Sequence, residues 1–324
     1  MGFPGVRMRR LRRTPWLRET LRETRVSPRR LFLPVFLDPT IPTPAPISSL
    51  PGHSRYPPSA LPEIARRAEK AELGGLLLFG RPREKTREGE GAWDPEGAVP
   101  QALRMLVGKH SLTLVADVCL CAYTLSGHCG IGEGARIDND ATLRALASTA
   151  VAYAKAGADW VAPSAMADGQ VGALRRALDG EGLEDTAILA YALKSASAFY
   201  EPFREAEDSA PQTGDRKHYQ MDYSNRREGL REMELDAAEG ADVLMVKPGL
   251  TQLDLLARAR EEFHHPLAVY NVSGEYAMVK AAVQKGWITE DRIVPEILTA
   301  FRRAGADLIV TYHALEAAES GWLG

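Results

Sequence analysis

Long hydrophobic runs are missing from this 324-residue sequence, and none approaches the ~20 apolar residues that a membrane-spanning helix needs. Cysteine is scarce: three residues are too few for a disulfide scaffold and suit a reducing cytosol. The N-terminus lacks the apolar core of a secretory signal, and a net charge of -3 argues against a nucleic-acid-binding protein. We therefore expect a cytoplasmic protein that binds neither membranes nor nucleic acid.

Basic residues are unevenly spread, since residues 1–30 contain ten Arg against two Glu. Prolines at positions 4, 15 and 28 break this segment into pieces that cannot bury a core. A nucleic-acid arm, an organellar presequence and an arm that packs on another subunit all agree with this composition. Trp16, Leu17 and Leu21 are apolar anchors that favour the subunit arm.

Eight short apolar segments are typical of buried strands and begin near residues 31, 74, 112, 159, 187, 242, 267 and 307. Helical segments separate most of them, and a Gly-Ala-Asp sequence precedes three of them, at Gly157, Gly240 and Gly305. A doubly wound open sheet is the alternative, but no Gly-rich phosphate turn follows an early strand. We predict an α/β fold: a (β/α)8 barrel over residues 31–324, with an extended N-terminal arm over residues 1–30.

The strand that ends at Lys247 is the most informative one. Four apolar residues precede the lysine, and Pro248 prevents the strand from continuing. Burial disfavours a charged ammonium, and a neutral lysine amine is a nucleophile toward carbonyl carbon. The structural alternative is a lysine that extends from the sheet edge to water. In a barrel, the polar residues that end strands would meet at one mouth; they are Asp117, Cys119, Ser164, Lys194, Lys247, Ser273 and Tyr312.

All three cysteines, Cys119, Cys121 and Cys129, lie within eleven residues. Their spacing is not that of a zinc finger, but three thiolates on one loop leave a fourth position open, as in a catalytic zinc site. His128 would then be a fourth ligand or a group that supports the ligands. Three free thiols on a mobile loop are the alternative.

A second lysine, Lys194, ends a strand as Lys247 does. Two lysines in one mouth would each lower the other's pKa from the usual ~10.4. The polar stretch that follows, Glu201 to Arg226, is predicted to be a lid over the mouth, and we call it the lid segment. Its arginines suit an anionic substrate because a guanidinium matches a carboxylate, although singly each is better explained as a solvated surface charge.

Several motifs are specific when they are taken together: Asp117-Val-Cys-Leu-Cys121, Gly127-His-Cys-Gly130, Val161-Ala-Pro-Ser164, Ser197-Ala-Phe-Tyr-Glu-Pro-Phe-Arg204, Gly214-Asp-Arg216 with Tyr219-Gln220, Met245-Val-Lys-Pro248 and Val272-Ser-Gly-Glu-Tyr-Ala-Met278. Together they resemble the porphobilinogen synthase family, also called δ-aminolevulinic acid dehydratase. The resemblance extends from the basic N-terminal segment to the last strand. It implies a lyase that condenses two molecules of δ-aminolevulinate to porphobilinogen, with loss of water, in tetrapyrrole and heme synthesis.

The resemblance also implies substrate contacts. Lys247 matches the Schiff-base lysine of the first-bound substrate, and Lys194 matches the lysine that binds the second. The residues that match the carboxylate-binding groups are Ser273 and Tyr312 for the first substrate, and Arg204, Arg216 and Gln220 for the second.

Metal sites and assembly are implied in the same way. Cys119, Cys121 and Cys129 match the zinc-binding form of the family, so we predict Zn²⁺ rather than a magnesium-dependent site with Asp residues. Glu232 falls where bacterial members bind a stimulatory Mg²⁺ between subunits. The family forms homo-octamers in which the arm embraces a neighbour, which agrees with the subunit arm inferred above.

The sequence departs from the family pattern at Ala165, where many members have Asp directly after Ser164, and at Ala167, which replaces a usual Met. Asp117 and Asp168 remain as carboxylates for proton transfer. A class I aldolase, a zinc hydrolase that uses only the cysteines, and a non-catalytic barrel that binds RNA through its arm are the alternatives. The cysteine cluster and the second lysine argue against the aldolase.

Overall fold

Eight parallel strands pair in chain order and close into a barrel in the computed structural model, which describes residues 5–134 and 136–323. The strands are β1 (Leu31–Leu37), β2 (Gly75–Gly80), β3 (Thr113–Val118), β4 (Trp160–Pro163), β5 (Ala187–Lys194), β6 (Val243–Lys247), β7 (Leu267–Asn271) and β8 (Leu308–Thr311). The barrel closes because β8 pairs with β1, with Ile309 opposite Leu31. The predicted barrel is confirmed, and each strand begins within one residue of its expected position.

Helices cover the outside of the barrel between successive strands. In chain order they are α1 (Pro15–Thr20), in the N-terminal segment, and then α2 (Leu61–Lys70), α3 (Ala98–Leu106), α4 (Asn139–Lys155), α5 (Gln170–Gly180), α6 (Glu201–Glu207), α7 (Arg226–Ala238), α8 (Leu253–Glu262), α9 (Ser273–Gln284), α10 (Glu290–Arg303) and α11 (Ala314–Glu319). The connection between β5 and β6 carries two helices, α6 and α7, as the connection between β7 and β8 carries α9 and α10. The lid segment is therefore partly helical.

The Gly-Ala-Asp repeat fastens the N-terminal ends of the strands. Its glycines have φ values of 105°, 103° and 118°, which residues with a side chain rarely adopt. Its aspartates each accept a hydrogen bond from the backbone of the neighbouring strand: Asp159 from Leu114 N at 2.7 Å, Asp242 from Ile188 N at 2.7 Å and Asp307 from Leu267 N at 3.1 Å. The repeat therefore stabilises the face of the barrel opposite the mouth.

Side chains along the strands alternate between the barrel interior and the surrounding helices. In β6, Met245 packs with the interior cluster, whereas Leu244 and Val246 pack with the outer one. Lys247 continues the inward set at the mouth. The interior cluster is rich in aromatic rings, among them Phe32, Phe36, Phe79, Tyr191, Tyr270 and Tyr312.

An irregularity in β5 turns Lys194 toward the same mouth. Tyr191 faces the interior, so strict alternation would turn Lys194 outward. The pairing register with β6 shifts by one residue ahead of Leu193, and both Ala192 and Leu193 pack with the outer cluster. This bulge places Lys194 directly opposite Lys247 in the sheet.

Residues 5–30 contribute no strand to the barrel. They form two 3-10 helices, Met8–Arg12 and Pro28–Arg30, and α1, on which Trp16 is 82% exposed. An uncovered apolar anchor suits an arm that contacts another subunit, although the boundary and role of the arm stay predictions. In the part of the chain that the structure describes, no helix combines the length and apolar character needed to span a bilayer.

Candidate active site

Lys247 ends β6 inside a box of aromatic rings. Its Nζ lies 4.2 Å from the ring centroid of Tyr270, 5.0 Å from that of Tyr191, and 5.2 Å from those of Tyr200 and Phe203. The side chain is nearly excluded from water, since the residue is 5% exposed. The faces of aromatic rings attract a cation, but they stabilise an ammonium group less well than water does. Burial therefore favours the neutral amine.

The second lysine shares this box. Lys194 Nζ lies 5.5 Å from the Tyr191 ring centroid and donates a hydrogen bond to the backbone oxygen of Ser164. The Ser164 hydroxyl donates to Asp117 Oδ2 at 3.1 Å, while Asp117 Oδ1 is buried without a partner. The structure thus brings together the two lysines and one carboxyl group that the strand ends predicted.

The pKa values of Lys247 and Asp117 are both shifted toward neutral pH. Burial and the Lys194 charge together lower the pKa of Lys247 to about 7, while Asp117 opposes the shift. Burial raises the pKa of Asp117 to about 6, against the influence of both lysines. An amine and a carboxyl group with nearby pKa values are suited to exchange protons during a reaction.

The cysteine loop, residues 119–129, brings its three sulfurs together beside the mouth. All three thiols are buried, their Sγ atoms lie within 4.8 Å of one another, and those of Cys119 and Cys121 are 3.5 Å apart. Hydrogen bonds from the other two thiols hold the pKa of Cys129 well below its usual value, and Arg216 also favours the thiolate. Zn–S bonds of ~2.3 Å would separate tetrahedral thiolates by about 3.8 Å, so this donor set fits zinc.

His128 fastens the cysteine loop to the lid segment. Its Nε2 pairs with the backbone oxygen of Thr213 at 2.9 Å, and its Nδ1 pairs with the Tyr219 hydroxyl at 3.1 Å. That hydroxyl also accepts a hydrogen bond from Cys129 N at 3.2 Å. Because both ring nitrogens are engaged, His128 supports the loop in this arrangement and is not a fourth ligand.

Three polar residues of the lid segment have buried side-chain atoms without hydrogen-bond partners. Arg216 is 5% exposed and donates to the backbone oxygen of Gly127 at 2.9 Å, but its Nε has no partner. Both amide atoms of the buried Gln220 and the Nε of Arg204 also lack partners. Arg204 pairs with Glu201 through its Nη1. The two arginine Nε–H groups and the Gln220 Nε2 are donors available for an anion.

Ser273 and Tyr312 lie at the ends of β7 and β8, on the other side of the mouth. The Ser273 hydroxyl accepts a hydrogen bond from Phe203 N at 3.0 Å and donates to the Phe199 oxygen at 3.2 Å, so it ties the lid segment to α9. The Tyr312 hydroxyl lies 3.2 Å from that of Tyr270. Tyr270 in turn contacts Lys247, which links this pair to the aromatic box.

Glu232 does not belong to the mouth. It lies on α7 and lines a cavity of about 360 Å³ with Asp168, Asp222 and Glu228, and Gln220 lines the same cavity. Burial raises the pKa of Glu232, and the charge of Asp168 raises it further. Asp168 is exposed there, so Asp117 is the carboxylate that faces the lysines. Ala165 lines the same cavity.

Several residues around Lys247 were not identified from the sequence. Tyr191 and Tyr270 occupy inward positions of β5 and β7, a signal that strand alternation alone could have provided. Tyr200 and Phe203 come from the lid segment and its approach, and their contact with Lys247 depends on how that segment folds back. Glu207, at the end of α6, is 3% exposed and had no sequence signal.

Comparisons with known proteins agree on one family. A family model described as delta-aminolevulinic acid dehydratase matches residues 5–320. Relatives with the name delta-aminolevulinic acid dehydratase from Archaeoglobus fulgidus and Synechococcus elongatus are each 48% identical, covering 98% and 99% of this chain and the same shares of their own. The Toxoplasma gondii enzyme of that name, solved with porphobilinogen, is similar with a TM-score of 0.94 and 45% identity, over 97% of this chain and 91% of its own.

Contact between the cysteine loop and the lid segment can be tested at Gly127. Its φ is +68°, and a Cβ there would lie 2.2 Å from the backbone oxygen of Ala210, so Gly127→Ala should displace the lid segment. Gly134→Ala is the matched control, because Gly134 also has a positive φ but open space around it. Hydrogen exchange in residues 208–221 should accelerate in the first variant only; equal exchange in both would contradict this contact.

Proposed function

The chain belongs to the delta-aminolevulinic acid dehydratase family, and from that membership we propose that Lys247 and Lys194 each form a Schiff base with one substrate. The family reaction condenses two molecules of δ-aminolevulinate to the pyrrole porphobilinogen, a step of tetrapyrrole synthesis. This chain catalyses it, and the proposal concerns which of its residues do so.

Lys247 carries the first substrate. With a pKa of about 7, its amine is partly uncharged at neutral pH and can add to the keto carbon. The carbinolamine then loses water to give an imine, whose positive nitrogen acidifies the neighbouring C–H. Asp117 can take up and return protons at this stage, because its own pKa is about 6 and its Oδ1 is unpaired.

Two clamps orient the substrates. Ser273 and Tyr312 lie on the Lys247 side of the mouth, where they would hold the first carboxylate. Arg204, Arg216 and Gln220 come from the lid segment and would hold the second, beside Lys194. Fixing both molecules makes the bimolecular condensation effectively unimolecular.

One observation carries this proposal: six buried polar atoms on residues assigned to the mouth have no hydrogen-bond partner. They are Asp117 Oδ1, the Tyr191 hydroxyl, Arg204 Nε, Arg216 Nε and both amide atoms of Gln220. Leaving a buried polar group unpaired costs about 1–3 kcal/mol, so such a cluster is expected where a polar ligand supplies the missing partners. A substrate with a carboxylate, a keto group and an amine fits that requirement.

Zinc held by Cys119, Cys121 and Cys129 is part of the proposal. Three buried thiols within 4.8 Å of one another are the donor set that zinc prefers. When bound, the ion would supply Lewis acidity next to the second substrate. The cysteine loop also accepts a hydrogen bond from Arg216 through Gly127, so metal binding and the second carboxylate clamp share one support.

The proposal also includes a magnesium ion bound at Glu232 and assembly of the chain into a homo-octamer. The enzyme is proposed to be cytoplasmic. Carboxylates of Glu232, Glu228 and Asp168 line one cavity, and their mutual repulsion would be relieved by a hard divalent cation. The exposed Trp16 supports an arm that contacts a neighbouring subunit. The mass of the assembly in solution, measured with and without magnesium, tests both points.

The Schiff base on Lys247 can be trapped directly. Incubation with δ-aminolevulinate and borohydride should leave a reduced adduct on Lys247, which peptide mass spectrometry can locate. Lys247→Met keeps the length of the side chain without the amine and should lower turnover by roughly a thousandfold or more while the fold survives. An unmodified Lys247, or a variant with nearly unaltered turnover, would refute the role.

Metal removal tests the thiol site. A zinc chelator should abolish turnover, because the site would lose its Lewis acid. Added zinc should restore turnover. Cys129→Ser should lower the zinc content per chain, since a hydroxyl is a much poorer ligand than a thiolate. Full turnover by protein that elemental analysis finds free of metal would reject the assignment.

A further inference from the structure

Glu207 is a buried acid that the proposed function does not use. The buried acidic residues among those that the structure describes are Asp38, Glu207 and Glu275. Asp38 pairs with Arg81 at 2.6 Å, and Glu275 accepts hydrogen bonds from the backbone and from Asn271. Glu207 Oε1 is buried with no partner. Because an unpaired buried carboxyl group is costly, Glu207 is a candidate for contact with a ligand.

The helix that carries Glu207 places it over the mouth. Phe203 and Glu207 are four residues apart on α6, so they lie on the same face of that helix. The Phe203 ring lies 5.2 Å from Lys247 Nζ and 5.0 Å from the Phe79 ring. Ala206 packs in the interior cluster of the barrel. The carboxyl group therefore projects from the inner face of α6, one turn from the ring that contacts the reactive amine.

The electrostatic surroundings agree with this position. Burial holds the pKa of Glu207 well above its usual value, and the charge of Asp117 raises it further, whereas Arg81 and Arg55 oppose the shift. Asp117 therefore lies close enough to Glu207 for its charge to influence that carboxyl group. A cation that enters this region would favour the ionised carboxylate and be bound by it.

The proposed substrate has a cationic group that still lacks a partner. δ-Aminolevulinate carries a carboxylate, a keto group and an ammonium, and the residues assigned above contact only the first two. We propose, on the basis of the proposed function, that Glu207 binds the ammonium group of the δ-aminolevulinate held by Lys247. Glu207 would then fix the orientation of that molecule from its amino end and select it over keto acids without an amine.

The test compares δ-aminolevulinate with 4-oxopentanoate, which is the same molecule without the amino group. For each compound, the concentration that gives half-maximal borohydride trapping on Lys247 is measured in the full-length protein and in Glu207→Gln. Glutamine keeps the shape of the side chain but not its charge. That concentration should rise about tenfold or more for δ-aminolevulinate and change less than about twofold for 4-oxopentanoate.

Glu205→Gln is the matched control, since Glu205 lies on the same helix but is exposed and accepts a hydrogen bond from Ser48 at 2.5 Å. In this variant the concentration for half-maximal trapping should equal that of the unaltered protein for both compounds. If Glu207→Gln raises the half-maximal concentration equally for the two compounds, or for neither, the carboxyl group has a structural role and the proposal is overturned. If the unaltered protein forms no adduct with either compound, the Schiff-base assignment fails, and this inference fails with it.

Discussion

The Lys247 amine lies among four aromatic rings at the end of a buried strand, and water cannot stabilise its charge there. Burial and the neighbouring Lys194 lower its pKa to about 7, which leaves a nucleophile at neutral pH. Other features of the barrel serve this arrangement. The bulge in β5 turns the second lysine inward. Phe203 of the lid segment and Tyr200, directly before it, contribute two rings to the aromatic box.

The lid segment and the cysteine loop act as one unit at the opposite side of the mouth. His128 and Tyr219 link them by hydrogen bonds, and Arg216 reaches from the lid segment to Gly127 in the loop. A change in the cysteine loop would therefore be transmitted to the residues that we assign to the second carboxylate. The residues that we propose for zinc and those that we propose for the second carboxylate are therefore held by the same hydrogen bonds.

Much of the fold could be predicted because its signals are local. Buried parallel strands appear as short apolar runs, and the Gly-Ala-Asp repeat marks where three of them begin. Lys247 and the cysteine cluster also stand out in the sequence. The inward direction of Lys194 could not be derived from alternation, because it depends on a bulge. The positions of Glu207 and of the partners of both His128 nitrogens could not be predicted either, because they depend on how the lid segment folds back. Asp168, a candidate for proton transfer in the sequence, is exposed in the structure.

The charge state of Lys247 is the central claim and can be measured directly. Protein labelled with ¹⁵N at lysine Nζ, assigned by comparison with Lys247→Met, can be titrated by NMR without substrate. The account predicts a midpoint near 7 for Lys247, with the amine protonated below it and free above it. In Lys194→Gln the midpoint should move upward, because a neighbouring positive charge is removed. A midpoint near the ~10.4 of an ordinary lysine would contradict the account.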